Sequence, residues 1–123
     1  MRQNGLGSTG LFVSELCLGA MTFAGKTDSF WGAVGNVQQD DAYRLIKRAI
    51  DSGFNFIDTA DVYSSGRSEM ITGQALRNLG ISRDEIVIAT KAFGRTGPGP
   101  NTHGSSRSHL LAAARASRQL AGC

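Results

Sequence analysis

The sequence predicts an α/β fold built on a parallel sheet, and three observations carry that prediction. Apolar residues recur at offsets of three and four in separate stretches, short apolar runs alternate with them, and glycine or a Pro/Gly-rich loop marks each change of period. Strand, helix, strand, helix, strand, helix is the repeating order of parallel α/β proteins, whose right-handed crossovers lay helices on the sheet. With 123 residues, 41% hydrophobic and 19% charged, the chain can bury one core, and one domain is the ceiling.

Gly5-Leu6-Gly7-Ser8-Thr9-Gly10-Leu11-Phe12-Val13 sets turn residues ahead of an apolar rise and reads as a short N-terminal hairpin placed as a cap. Glu15 to Phe23 follows as an apolar strand in which Gly19 and Ala20 leave room for another group to approach the backbone. Lys26 to Gln39, Gly-rich and polar around Phe30 and Trp31, predicts a long surface loop. Helical spacing begins at Asp40, a good N-cap, puts Ala42, Leu45, Ile46, Ala49 and Ile50 on one stripe, and stops at Gly53.

Phe54 to Asp58 is the next strand and Thr59 to Gly66 the loop after it. A second helix starts near Ser65, carries Ile71, Ala75 and Leu79, and ends at Leu79-Gly80, with Glu69 set against the positive end of its dipole. Glu85 to Lys91 forms the third strand. Phe93 to Ser106, which holds both prolines, is a loop, and Ser108 to Leu120 a third helix with Leu110, Ala113, Ser117 and Leu120 in register.

Three such units begin either an open doubly wound sheet or a closed eight-stranded barrel. An open dinucleotide-binding sheet carries G-x-G-x-x-G between its first strand and first helix, and Gly19-Ala20-Met21-Thr22 is not that motif. In a barrel, chemistry gathers at the C-terminal ends of the strands, where Gly19 to Thr22, Asp58 and Lys91 all fall. The expected architecture is therefore a partial (β/α)8 TIM barrel, an N-terminal hairpin plus about three βα units over residues 1–123.

Charge excludes several partners. Residues 1–85 hold eight basic and ten acidic side chains, so the formal +3 comes from Lys91, Arg95, Arg107, Arg115 and Arg118, scattered and without interleaved aromatics. That distribution argues against nucleic acid. No apolar run approaches a membrane span, and Met1-Arg2-Gln3-Asn4 is no secretory signal, so no membrane partner and a cytoplasmic setting are expected. Cys17, inside an apolar segment, and Cys123 suggest neither a disulfide framework nor a metal site, and inert thiols are expected.

Asp58, Tyr63 and Lys91 are the candidate constellation. Neighbouring parallel strands end side by side, so a carboxylate closing one strand and an ammonium closing the next can meet over one mouth, with Tyr63 folding back from the loop between them. A phenol beside an ammonium yields its proton more readily than a free one and can serve as a general acid. The carboxylate would keep Lys91 charged and oriented. Taken singly, each residue also fits an ordinary role: a turn-forming Asp, a loop aromatic, a solvated charge. Asp61 and Glu69 read as loop polarity and helix-start electrostatics.

The run Gly53-Phe54-Asn55-Phe56-Ile57-Asp58-Thr59-Ala60-Asp61-Val62-Tyr63, closed by Arg67-Ser68-Glu69, resembles the signature of the aldo-keto reductases. Further matches are Leu6-Gly7-Ser8-Thr9-Gly10-Leu11, Leu18-Gly19-Ala20-Met21-Thr22-Phe23, Gly73-x-Ala75-Leu76, Ala89-Thr90-Lys91 and Ser106-Arg107-Ser108-His109, so the resemblance covers nearly the whole chain. It is similar to the bacterial and plant reductases and to the potassium-channel beta subunits.

The resemblance implies an NADPH-dependent oxidoreductase that reduces aldehydes or ketones. Tyr63 would be the proton donor, Lys91 and Asp58 would tune it, and Gly19, Ala20, Met21, Thr22 and Asp58 would meet the nicotinamide end of the cofactor. Trp31 would either line the substrate mouth or simply pack. The family's fourth catalytic position, a histidine ending a fourth strand, has no counterpart here, because His103 lies in a Pro/Gly loop and His109 matches a non-catalytic helix position. The expectation is a truncated N-terminal portion, inactive alone. The alternative is a non-catalytic remnant or half-barrel whose raw sheet edges favour self-association or a complementing half.

Overall fold

The computed structural model describes residues 1–24 and 30–122. Among the described residues the strands are β1 (Gln3–Gly5), β2 (Phe12–Ser14), β3 (Leu18–Gly19), β4 (Phe56–Asp58) and β5 (Val87–Ala89). The α-helices among them are α1 (Phe30–Val34), α2 (Gln39–Asp51), α3 (Arg67–Leu79) and α4 (Arg107–Leu120). β1 and β2 pair antiparallel, while β3, β4 and β5 form a parallel sheet in that order. The result is a mixed α/β structure consistent with part of a barrel; the sheet does not close, and among the described residues β5 pairs only with β4.

Register sorts the sheet into two faces. Leu18, Ile57 and Ile88 stand opposite one another and pack into the core, while Gly19, Asp58 and Ala89 form the next row, which by the two-residue period faces away from the helices. The core is Ala20, Phe23, Ala42, Ile46, Ile57, Ile71, Ala75, Leu76 and Ile86, between the sheet and the stripes of α2 and α3. Ile46 alone, fully buried, contributes roughly 2–3 kcal/mol of transfer free energy.

The hairpin is pinned to the opposite end of β4 by Asn55. Its Oδ1 accepts from the Ser14 N–H at 2.6 Å, and its Nδ2 donates to the Phe12 carbonyl at 3.0 Å. A strand entry and a hairpin are thereby fixed by one side chain.

Several boundaries differ from those the pattern predicts. The strand expected over Glu15 to Phe23 shrinks to two residues, because Leu16 and Cys17 turn outward; within that stretch Ala20 and Phe23 are buried and Leu18 packs partly buried against the core. Of the loop expected over Lys26 to Gln39, positions 26–29 lie outside the described residues, and Phe30–Val34 is a short helix. Asp40 is not the N-cap of α2; Gln38 holds that place, and Asp40 sits in the first turn, where its charge suits the helix dipole. Leu45 and Leu110 leave their stripes, at 47% and 40% exposed, since neither faces the sheet. Gly53 and Gly80 do stop their helices, both in left-handed conformation. No helix among the described residues is long and apolar enough to cross a membrane.

Candidate active site

Each strand delivers one piece of the mouth. Gly19 ends β3 and Asp58 ends β4 directly beside it in register, while Lys91 lies two residues past Ala89, the partner of Asp58 in β5. Backbone bonds continue the ladder past the strands, from Thr59 N–H to the Ala89 carbonyl at 2.9 Å and from Asp61 N–H to the Lys91 carbonyl at 3.1 Å. Lys91 is thus fixed at its backbone before its side chain makes any contact.

The Lys91 ammonium donates to Asp58 Oδ1 and Oδ2 at 2.8 and 2.7 Å and to the Thr59 carbonyl at 2.6 Å. It also lies 5.1 Å from the centroid of the Tyr63 ring, within cation–π range. Partial burial opposes its charge, but the hydrogen bond and charge of Asp58, with Tyr63 behind them, outweigh that penalty and hold it above the ordinary lysine range. The three residues singled out in the sequence stand together.

Tyr63 reaches the mouth through an uncommon turn. Tyr63–Gly66 forms a single 3₁₀ turn in which Ser64 (φ 50), Ser65 (φ 55) and Gly66 (φ 87) are all left-handed. Trp31 packs against the phenol from α1, ring centroids 5.5 Å apart and tilted by 59°. Trp31 thus packs beside the mouth, a contact that fits both readings open for it.

Gly19 is exposed, and a Cβ built on it would meet no heavy atom within 4 Å. Met21, at 42% exposed, and Thr22 continue that open surface, whereas Ala20 is fully buried and offers only its backbone. Cys17 is exposed rather than interior; burial and the Asp58 charge raise its pKa against the pull of Lys91, which keeps it a thiol.

Two residues read as ordinary surface polarity are buried. Glu69 is 1% exposed and accepts from the Thr90 hydroxyl at 2.7 Å. Asp61 is 9% exposed, and neither of its oxygens finds a partner among the described residues. Both line a cavity of about 650 Å³ between α3 and α4, together with His109 and the alanines Ala112, Ala113 and Ala116. In the sequence Glu69 was signalled by its charge near a helix start and by its place at the end of the signature run, and neither reports burial. Among the described residues no three His, Cys, Asp or Glu side chains gather as metal ligands.

The fold and the mouth define an α/β protein with a carboxylate, an ammonium and a phenol at the carboxyl edge of a parallel sheet. The sequence profile of the Aldo/keto reductase family matches residues 15–122, and the chain belongs to that family. An Arabidopsis thaliana protein named "Probable voltage-gated potassium channel subunit beta" is 42% identical over 118 residues, covering 95% of this chain and 33% of that relative. Versiconal hemiacetal acetate reductase of Aspergillus parasiticus is 34% identical over 134 residues, covering 95% of this chain and 38% of its own length. The holo form of an aldo-keto reductase from Bacillus halodurans superposes with a TM-score of 0.78 at 27% identity, covering 99% of this chain and 37% of that one. The chain spans about a third of the length of the curated relatives it matches.

Proposed function

We propose that this chain carries the proton-donating face of an NADPH-dependent reductase of aldehyde or ketone carbonyls. The observation that supports the reading best is the placement of the Lys91 ammonium on both oxygens of Asp58 and against the ring of Tyr63. In it, Tyr63 gives its phenolic proton to the carbonyl oxygen, and Lys91 favours the phenolate left behind. Asp58 keeps Lys91 charged and aimed. Trp31 shields one side of the phenol from water.

The residues at the end of β3 fit a flat ring. The space above Gly19 is open, and Met21 and Thr22 extend an exposed surface beside Asp58, so these residues would hold the nicotinamide end. NADPH, when bound there, supplies hydride to the carbonyl carbon.

Titration of NADPH into the purified chain, followed by cofactor fluorescence, tests this reading with Lys91→Met as control. Saturable binding that the substitution weakens is the expected result. Absence of binding at millimolar cofactor would overturn it. A partner-binding half-barrel is the second reading, favoured by the outer edge of β5, which no described strand covers. Sedimentation of the chain would then show self-association.

A further inference from the structure

Ser68 and Glu69 lie in the first turn of α3, buried at 0% and 1% exposed. The Ser68 hydroxyl donates to the Ala20 carbonyl at 2.6 Å. With its proton committed there, it accepts from the Thr59 hydroxyl, 3.3 Å away. The next residue, Glu69, accepts from the Thr90 hydroxyl through Oε1 at 2.7 Å.

The three partners are not arbitrary. Ala20 follows the last residue of β3, Thr59 follows Asp58 at the end of β4, and Thr90 precedes Lys91 after β5. Two consecutive side chains on one helix therefore hold the ends of all three parallel strands, at the level where the mouth is built. The strands themselves are only two or three residues long, and single backbone bonds carry the ladder past them, so the side-chain clamp adds a second restraint at these ends.

Glu69 is costly in that position. Its Oε2 is buried without a partner among the described residues, and burying a carboxylate costs more than an apolar side chain of similar size would. What the carboxylate adds is a directed acceptor for Thr90, one residue from the ammonium. A packing role alone does not call for it.

We propose that Ser68 and Glu69 are positioning residues, a clamp from α3 that sets the place of Lys91 relative to Asp58 and Tyr63. The proposal rests on the reading of that mouth as the proton-donating site. Glu69 acts through Thr90 on the backbone that carries Lys91, and Ser68 holds the neighbouring ends of β3 and β4 in the same frame.

The test reads Lys91 directly, without cofactor or turnover, in the full chain. The sequence has only three lysines, Lys26, Lys47 and Lys91, so side-chain signals of isotope-labelled lysine are assignable by NMR. Thr90→Val, nearly isosteric, removes the donor to Glu69 and is expected to lower the Lys91 titration midpoint by on the order of half a pH unit, part of what a charge partner at contact exerts. Glu69→Gln keeps an oxygen that can accept from Thr90 and is expected to retain the wild-type midpoint, whereas Glu69→Leu loses it.

A merely structural clamp would lower the melting temperature in these variants and leave the Lys91 titration in place. Should Glu69→Leu fail to fold, Thr90→Val and Glu69→Gln still decide. A folded Thr90→Val with the wild-type Lys91 midpoint would overturn the proposal, whatever NADPH does. If instead the midpoint moves as expected and NADPH does not bind, the reductase reading fails and the clamp on the ammonium stands.

Discussion

Lys91 donates to both carboxylate oxygens of Asp58, at 2.8 and 2.7 Å, across the ends of two neighbouring strands. The two side chains remain 50% and 42% exposed, so solvent screens the pair, and such a pair contributes about 0–1 kcal/mol to stability. Its consequence is orientation. Lys91→Met is therefore expected to leave the urea midpoint nearly unchanged, within about 1 kcal/mol, while removing the cation that faces Tyr63. The folded-state pKa of Lys91 is raised above 10.5, so whatever the pair contributes is complete below that pH and is lost as pH rises through the folded value. Equal urea midpoints for wild type and Lys91→Met at neutral pH would check the first point, and a wild-type loss in alkali that Lys91→Met lacks would check the second.

The mouth was legible in the sequence because its residues sit at strand ends, where short apolar runs stop at Asp58 and just before Lys91. Neighbouring strand ends are adjacent whatever the loops do, so spacing placed Asp58 and Lys91 side by side. Tyr63 sits in the loop, and its place at the mouth depends on the left-handed turn at Ser64 and Ser65, which spacing does not show. The interior polar groups were not legible. Glu69 lies in a first helical turn that reads as solvated, yet it is buried, with Thr90, just past β5, donating to it. Strand lengths were overread for a related reason: Leu16 and Cys17 are apolar, yet the chain turns them outward before β3 begins. Apolar composition does not reveal which face a turn presents.

Asn55 joins two separate pieces of structure. Its side chain makes bonds of 2.6 and 3.0 Å to the backbone of β2, and its own N–H donates to the Ser14 hydroxyl at 3.3 Å. Asn55→Ala leaves the part-buried Ser14 N–H without that acceptor, a loss of about 1–3 kcal/mol. Hydrogen exchange should show the effect concentrated in residues 3–14, with α2 and α3 unchanged. Uniform loss of protection across the chain would show instead that the hairpin and the sheet unfold as one unit.

Ser64 stands where glycine would be less strained. Its backbone is left-handed (φ 50, ψ 38), which costs an L-residue roughly 1–2 kcal/mol, and its buried hydroxyl has no partner among the described residues. Ser64→Gly removes both penalties and adds the entropy of a more mobile unfolded chain, about 0.5–1 kcal/mol. The balance favours the variant by about 1 kcal/mol, read as a higher denaturation midpoint. A lower midpoint would mean that the side chain's packing outweighs its strain.

Asp61 is the group whose burial makes stability depend on pH. Desolvation raises its pKa from 3.8, and His109 and the nearby Val62 amide oppose that only in part. A carboxyl that holds its proton more tightly folded than unfolded contributes stability that is complete below its ordinary value and lost as pH rises through the folded one. Wild type should therefore lose, on going from acid to neutral pH, a contribution that Asp61→Asn, which cannot ionise, retains. The two proteins should be close in stability near pH 3, and the variant ahead by on the order of 1 kcal/mol at pH 7. Urea denaturation of both at several pH values gives the difference directly, and that difference reports Asp61 together with its coupling to His109. A gap that stays constant over that range would show that the Asp61 carboxylate is stabilised in the folded chain as well as it is in water.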